Sequence, residues 1–323
     1  MEQQHMFTNR MIRNLLVPVV LEQILNSIMG TADTMMVSNV GSAALSAVSL
    51  VDSINVLLIQ AFSALAAGGA IVCAQYIGQR NYEKANMSAR QVLFIITAIS
   101  VVVSAVCLIF QKPLLRLIFG AVDADVMRAS ETYFFFTALS FPFIAAYDSA
   151  ASIFRAQENT KGPMTISMIS NIMNIGGNAV LIWVFHLGVA GAAISTLVSR
   201  IFCAVVVLWQ LRKDRQPVVV RDYLKIRPDW SMIGRILGLG IPSGIENSMF
   251  QLGKLAIQST VSTLGTAAIA AQAMTNILEN LNGIAAIGVG VGLMTIVGQC
   301  LGAGRKDEAV YYIKKLCVIA EAV

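Results

Sequence analysis

The rest of this chain is organised around the stretch from Pro18 to Asp33, which reads PVVLEQILNSIMGTAD. It lies within an apolar run from Leu15 to about Ser38, and ~20 residues rising ~1.5 Å each cross the hydrocarbon core of a membrane. The run contains two carboxylates, Glu22 and Asp33, and their separation of eleven positions places them within ~20° on one helix face. Because an acid in mid-membrane costs on the order of 2.5–3.5 kcal/mol, this face is predicted to line a polar cavity. The alternative is a stripe of buried carboxyls that only holds helices together.

Part of this stretch occurs a second time, 224 residues later in the chain. The same offset aligns four motif pairs without gaps: Pro18-xxx-Glu22 with Pro242-xxx-Glu246, GSAALSA at 41–47 with GTAAIAA at 265–271, Gln75-xx-Gly78 with Gln299-xx-Gly302, and Glu83-x-Ala85 with Asp307-x-Ala309. Constant spacing across separated landmarks predicts one long repeat followed by the beginning of a second. Asp33 aligns with Ile257, so the repeats share architecture without sharing this carboxylate.

The composition indicates an all-α polytopic membrane protein. The 323 residues are 56% hydrophobic and 13% charged, with a mean hydropathy of +0.71, whereas soluble domains carry about 25% charged residues. The net charge of +5 is interpreted from the location of the charged residues and not as a nucleic-acid signal, so no nucleic-acid partner is expected. The five cysteines show no CxxC spacing and are interpreted as packing residues.

Hydropathy predicts nine membrane spans in this sequence. They lie at about 14–38, 47–77, 90–110, 127–156, 163–186, 189–211, 233–262, 267–297 and from 310 onward. Pro18, Pro142 and Pro242 fall inside spans and are expected to kink them. Gly68–Gly69 and Gly176–Gly177 are expected to serve close helix packing in preference to flexing.

The distribution of Lys and Arg predicts orientation and domains. Basic residues, Arg155 among them, concentrate at the N-terminus and in alternate loops, which places the N-terminus in the cytoplasm of a multi-pass inner (plasma) membrane protein. The expected domains are an N-lobe of six helices at 1–211, a basic, solvated cytoplasmic linker at 212–231, and a partial C-lobe of about three helices at 232–323. Because six spans precede the linker, the chain returns to the cytoplasm before the second repeat begins. The two repeats are therefore expected to run parallel and to be related by an axis along the membrane normal. A second repeat of equal length would extend past Val323, so a C-terminally truncated chain is expected.

The order and spacing of several motifs resemble the multidrug and toxic compound extrusion (MATE) transporters of the MOP flippase superfamily. The motifs are Pro18-xxx-Glu22 with Asp33, VGSAALSAV at 40–48, AQYIGQRNYEKA at 74–85, NIMNIGGNAVLIW at 171–183, GVAGAAISTLVSR at 188–200, GIPSGIE at 240–246 and GQCLGAGRKDEA at 298–309. The resemblance implies two six-helix lobes around a V-shaped cleft. It also implies secondary active efflux of organic cations in exchange for H⁺ or Na⁺, with a complete first lobe and half of the second.

The resemblance further implies a coupling-ion site at Asp33, Asn174, Asn178 and Thr196. Asp33, Asn178 and Thr196 also lie at one level, ~8–12 Å below the outer surface by the rise of their helices. Asn178 stands where many members of the family carry a second carboxylate. We therefore expect H⁺ in preference to Na⁺ at Asp33, and no other metal or cofactor. The alternative is an interhelical hydrogen-bond cluster without a ligand.

Glu246 is predicted near mid-membrane as a counter-charge for an organic cation. Further candidate substrate-binding residues are Glu22, Met29, Gln272, Lys254 and Glu279. Lys254 and Glu279 lie at similar depth and are expected to pair with each other, in a role that is either functional or purely structural. Arg200 is expected to be buried in span 6, with Asp148 as its candidate partner on depth alone.

Three other readings compete with an antiporter of small organic cations. A lipid-linked oligosaccharide flippase of the same superfamily would be expected to line its cleft with Arg residues that bind a pyrophosphate. The predicted cleft of this chain has acidic residues and few basic ones. An intramembrane enzyme is not supported, because neither a GxSG with a partner His nor an HExxH occurs. A channel fits poorly with a two-lobe repeat, which favours rocking between halves. The expected partners are membrane lipid and the transported cation, and the full-length protein is expected to be a monomer.

Overall fold

The structure, a computed structural model, describes residues 5–119, 123–213, 216–221, 223, 227–262 and 266–322. Between 255 and 281 it describes the side chains of 256, 257, 260, 275 and 279 alone. The described chain forms these α-helices: α1 (Asn9–Ser38), α2 (Ser42–Gly78), α3 (Tyr82–Ile109), α4 (Gln111–Phe119), α5 (Ala124–Leu139), α6 (Phe141–Ala156), α7 (Lys161–Asn178), α8 (Gly188–Leu211), α9 (Trp230–Ser262), α10 (Thr266–Gly302) and α11 (Lys306–Ala322). A π-helical segment, Ala179–Val184, continues α7. The all-α prediction is confirmed.

Six of the described helical segments are long and apolar enough to cross a membrane, or seven if α5 and α6 count as one bent span. They are α1, α2, α3, α7 with its π-helical continuation, α8, and the part of α10 at 282–302. With α5 and α6 counted as one span, two of the nine predicted spans are absent from this set. These are α9, which carries Arg235, Glu246 and Lys254, and α11, which has 17 residues.

The fourth predicted span is two helices, α5 and α6, which meet at Ser140 with a bend of 42°. Pro142 lies in the first turn of α6, where its missing N–H leaves no helical hydrogen bond unmade. The expected kink is therefore a full break. In contrast, α1 and α9 continue through Pro18 and Pro242.

The short helix α4 was not predicted from the sequence. It follows α3 directly after Phe110 and buries Leu115, while Leu117 stays exposed. Nine residues are too few to cross a bilayer, and Lys112 and Arg116 made the segment resemble a loop.

The two repeats end their second helix with the same turn. The second residue past the end of each helix adopts a left-handed conformation. It is Arg80 at φ 58° after α2 and Gly304 at φ 77° after α10. In each turn the next residue donates its N–H to a carbonyl of the preceding helix, at 3.0 Å after α2 and 2.9 Å after α10. The 224-residue offset thus relates backbone geometry as well as sequence.

Helices α2 and α10 cross through equivalent glycines. A Cβ on Gly78 would lie 2.8 Å from the carbonyl carbon of Gln299, and one on Gly302 would lie 2.7 Å from that of Gln75. Since the two Gly and the two Gln are repeat partners, the contact is isologous, as across a two-fold axis.

The glycine pairs predicted to serve close packing do so at three of their four positions. A Cβ on Gly68 would lie 2.6 Å from the backbone nitrogen of Gly240 on α9. A Cβ on Gly69 or Gly177 would collide with a side chain of a neighbouring helix, whereas Gly176 has nothing within 4 Å.

The segment that enters each repeat is held by the other repeat. Ahead of α1, the backbone N–H and C=O of Phe7 bond to the Tyr312 hydroxyl of α11 at 2.9 and 2.8 Å. Ahead of α9, the Gln91 side chain of α3 donates to Arg227 O at 2.8 Å and accepts from Asp229 N at 3.2 Å. Helix α1 packs on α10, and α9 packs on α2.

The linker is not the fully solvated segment that its basic composition predicted. Val218 and Val220 are completely buried. The N–H of Val218 donates to Gln157 Oε1 at 2.9 Å, and that of Val219 donates to Asn86 Oδ1 at 2.8 Å. Apolar residues between the charges therefore dock this part of the linker on the first repeat.

Candidate functional site

Asp33 on α1 faces two amides of α7. Its Oδ1 accepts a hydrogen bond from Asn178 Nδ2 at 2.6 Å. Asn174 lies one turn earlier, and in the orientation that satisfies its amide Nδ2 donates to Asp33 Oδ1 at 2.9 Å. The Asn174 oxygen then accepts from the N–H and hydroxyl of Thr196 on α8, at 3.2 and 3.3 Å. The structure brings together all four residues that the sequence grouped as an ion site.

The helix that carries both amides changes form directly after Asn178. The π-helical segment Ala179–Val184 follows, and π-helical turns within α-helices occur frequently at functional sites. Asn174 and Asn178 are 2% and 1% exposed. Within the described part of the chain, Asn178 Oδ1 has no hydrogen-bond donor. A buried acceptor without a donor costs about 1–3 kcal/mol, so this oxygen is suited to a cation or to a carboxyl proton.

A second carboxylate, Asp52 on α2, lies beside this cluster. Asp52 Oδ1 accepts from Asn55 Nδ2 and from the Tyr133 hydroxyl, both at 3.2 Å. Asp52 also interacts electrostatically with Asp33 and with Arg200. Asp52 was not among the predicted site residues, although an acid inside a predicted span is the same signal that singled out Asp33.

Arg200 does not pair with Asp148 as predicted. Its Nη1 donates to Ser140 Oγ at 2.7 Å, at the break between α5 and α6. Asp148 Oδ2 instead accepts from Ser63 Oγ at 2.7 Å. Depth along a helix does not determine which way a side chain points, and the break at Ser140 supplies an acceptor that depth alone could not reveal.

Glu22 does not line a polar cavity with Asp33, which corrects its predicted place in a substrate site. Both Glu22 carboxylate oxygens accept from Arg155 Nη2 at 3.0 Å, and Tyr147 donates to Oε1 at 3.2 Å. Glu22 is 2% exposed. Arg155 is therefore not a solvated loop residue. Although Glu22 and Asp33 share a face of α1, α6 reaches the first and α7 reaches the second.

The candidate residues of the second repeat lie on a more open surface. Glu246 on α9 is exposed, and so is Met249, which lies three residues further along the same helix. Lys254 Nζ lies 2.7 Å from Glu279 Oε1, so the predicted pair is present. Met29 on α1 is half-buried. The side chain of Gln272 lies outside the described residues.

An internally repeated, multi-pass α-helical fold with a polar site between its helices is typical of membrane transporters. The MatE family model matches residues 18–180 and 242–322. The chain therefore belongs to the MatE family, whose members are transporters and not enzymes.

The matches to relatives extend over most of this chain at low sequence identity. It is 28% identical over 302 residues to "Probable multidrug resistance protein YoeA" of Bacillus subtilis (strain 168), covering 91% of this chain and 64% of the relative. It is 25% identical over 308 residues to "Probable multidrug resistance protein NorM" of Thermotoga maritima, covering 93% and 65%. The chain thus spans slightly less than two thirds of these relatives.

The fold is shared with a solved transporter structure. That structure is titled as the outward-facing conformation of a multidrug resistance MATE family transporter of the MOP superfamily. The TM-score is 0.89 at 20% sequence identity, and the match covers 96% of this chain and 68% of the other.

Proposed function

We propose that the whole protein is a secondary active transporter that exports organic cations in exchange for H⁺ or Na⁺, with Asp33 as the ion-coupling residue. The observation that carries this proposal is the Asp33 carboxylate, half-buried in α1 and hydrogen-bonded to two amides of α7. The multidrug resistance names of the relatives support the substrate class.

If Asp33 is the only carboxylate of the site, a proton is the ion that it is best suited to bind. An ionised acid in the membrane is costly, and protonation removes that cost. The Asn178 nitrogen donates to the ionised carboxylate at 2.6 Å. Rotation of the amide by about 180° would exchange its nitrogen and oxygen, so that the oxygen accepts from the protonated carboxyl. The Asp33–Asn178 hydrogen bond is thus charge-assisted only while Asp33 is ionised, so its strength changes on protonation.

Ion binding at this position can be coupled to helix movement because Asp33 joins α1 to α7. An ion shifts a conformational equilibrium only by its differential affinity for the two states. Protonation changes the Asp33–Asn178 hydrogen bond directly, which supplies such a difference. A proton that crosses ~100 mV gains about 2.3 kcal/mol, enough for well over tenfold accumulation of a substrate.

Helix α9 carries most of the residues that would contact the substrate. Glu246 and Met249 stand on its exposed surface, where the carboxylate offers a counter-charge and the flexible thioether fits varied apolar shapes. Lys254, further along α9, pairs with Glu279 of α10, and this pair offers both charges at one place. These residues are proposed to contact the organic cation.

Ethidium transport in vesicles that contain the protein tests the coupling. The imposed gradient is either of pH or of Na⁺. Asp33→Asn is expected to reduce gradient-driven transport by about tenfold or more, the effect of losing a group worth at least ~1.4 kcal/mol. Asp125→Asn, at an exposed acid in the first turn of α5, is the control and should transport normally. Full activity of Asp33→Asn would refute the proposal.

A further inference from the structure

We propose that Asp52 is the second carboxylate of the ion site and supplies the negative charge that position 178 lacks. This rests on the proposed role of Asp33 and adds a residue of α2 to the site. With two carboxylates the site is able to bind Na⁺ in competition with H⁺.

The charged and titratable groups that interact electrostatically with Asp52 are Asp33 on α1, Tyr133 on α5 and Arg200 on α8. Asp148 on α6 interacts with Arg200 of this group. Tyr133 bonds directly to Asp52 at 3.2 Å. Asp52 is thus part of the same electrostatic neighbourhood as Asp33.

The carboxylates of this neighbourhood exceed its guanidinium charge. Arg200 faces Asp33 and Asp52, yet its direct hydrogen bond goes to the neutral Ser140 hydroxyl. With both acids ionised, Arg200 balances one charge and leaves at least one in surplus. An unpaired charge is strongly unfavourable in a low-dielectric interior, and one bound monovalent cation removes the surplus.

Two orphan oxygens provide independent evidence for a cation. Asn178, which donates to Asp33, and Asn55, which donates to Asp52, each have a buried Oδ1 without a donor in the described structure. Their residues are 1% and 3% exposed. Each amide directs its nitrogen to the neighbouring carboxylate, at 2.6 Å for Asn178 and 3.2 Å for Asn55. Amide and carboxylate oxygens are the ligands that hard cations prefer.

The second carboxylate changes the expected ion. With Asp33 alone, one negative charge compensates poorly for the lost hydration of Na⁺, so a proton is favoured. With Asp52 as well, two carboxylates and two amide oxygens can replace that hydration. H⁺ and Na⁺ then compete for one surplus negative charge, and Na⁺ affinity falls as the pH is lowered.

Binding of ²²Na⁺ to the purified protein in detergent tests the assignment. The variants are Asp52→Asn and Asp33→Asn, with Asp52→Glu as the conservative change and Asp125→Asn as the control. We expect either Asn variant to weaken Na⁺ binding by about tenfold or more, as for a loss of ~1.4 kcal/mol. Asp52→Glu should retain most of the affinity, and Asp125→Asn all of it. Thermal unfolding without Na⁺ identifies any variant that fails to fold.

The outcomes separate the two proposals. If Asp33→Asn weakens Na⁺ binding and Asp52→Asn does not, Asp52 is not part of the site, while the proposed role of Asp33 stands. No saturable Na⁺ binding by the unchanged protein also overturns this inference, whereas the pH-gradient transport test still decides the role of Asp33. Should Asp52→Asn fail to fold, Asn55→Ala removes an orphan oxygen without changing charge. Unchanged Na⁺ affinity in that variant would overturn the assignment.

Discussion

At the scale of single residues, two ion pairs show that the environment decides what a charge contributes. Glu22 and Arg155 are 3% and 19% exposed as side chains, and Arg155 Nε has no acceptor in the described part of the chain. Lys254 and Glu279 form a shorter pair, yet they are 40% and 49% exposed. The protein therefore encloses the first pair much more completely than the second.

Glu22→Gln is therefore expected to lower the free energy of unfolding by about 3–5 kcal/mol, because the Arg155 charge is left buried and uncompensated. The matched control, Glu279→Gln, breaks an exposed pair and should cost about 0–1 kcal/mol. Denaturant unfolding in detergent, followed by circular dichroism, measures both. The double variant Glu22→Gln/Arg155→Met should recover much of the loss. Equal destabilisation by the two single variants would contradict this argument.

At the scale of helices, glycines determine how closely the two repeats approach. Gly78 and Gly302 bring the backbones of α2 and α10 into contact, since a Cβ on either would collide with a carbonyl of the facing helix. Gly290, also on α10, has nothing within 4 Å of an added Cβ. The same residue type thus has a packing role at one position and none at another.

Gly78→Ala is expected to destabilise the protein by about 1–3 kcal/mol, because two backbones must separate to admit the methyl group. Gly290→Ala should instead stabilise α10 by up to about 1 kcal/mol, since Ala is the better helix former and meets open space. Thermal unfolding of both variants in the same detergent tests the contrast. Similar shifts in one direction would show that the α2–α10 crossing does not depend on Gly78.

The sequence predicted these helices better than it predicted their partners. The hydrophobic runs located the long helices, and Pro142 marked the break after α5. Periodicity, however, shows which residues share a face and not which helix covers it. For that reason Glu22 was assigned to a cavity rather than to Arg155, and Arg200 was assigned to Asp148 rather than to Ser140. The grouping of Asp33 with α7 came from family resemblance, and Asp52 was missed.

At the scale of the whole molecule, the 224-residue repeat was visible in the sequence, but the exchange of contacts between repeats was not. The segment before α1 bonds to α11 through Tyr312, and the segment before α9 bonds to α3 through Gln91. Arg235 of α9 also donates to the Tyr76 hydroxyl of α2 at 2.9 Å. The repeats therefore stabilise each other through reciprocal contacts and not through the linker alone.

These contacts predict that the protein survives division of its linker. When the two parts are expressed together, with the chain divided between Tyr223 and Arg227, they should copurify in detergent through α1–α10 and α2–α9. The cut lies after Val218 and Val220, so the buried part of the linker stays docked on the first repeat. Pull-down of the second part by a tag on the first measures the association.

A paired variant shows whether that association depends on the close crossing of the helices. Gly68→Leu places a large side chain where Gly68 approaches the backbone of Gly240 on α9, so it should reduce recovery of the second part. Gly176→Leu, at a position with nothing within 4 Å of an added Cβ, should leave recovery unchanged. Independent purification of the two parts without either variant would mean that the linker, and not reciprocal packing, holds the repeats together. The isologous crossing of α2 and α10 would then follow from tethering.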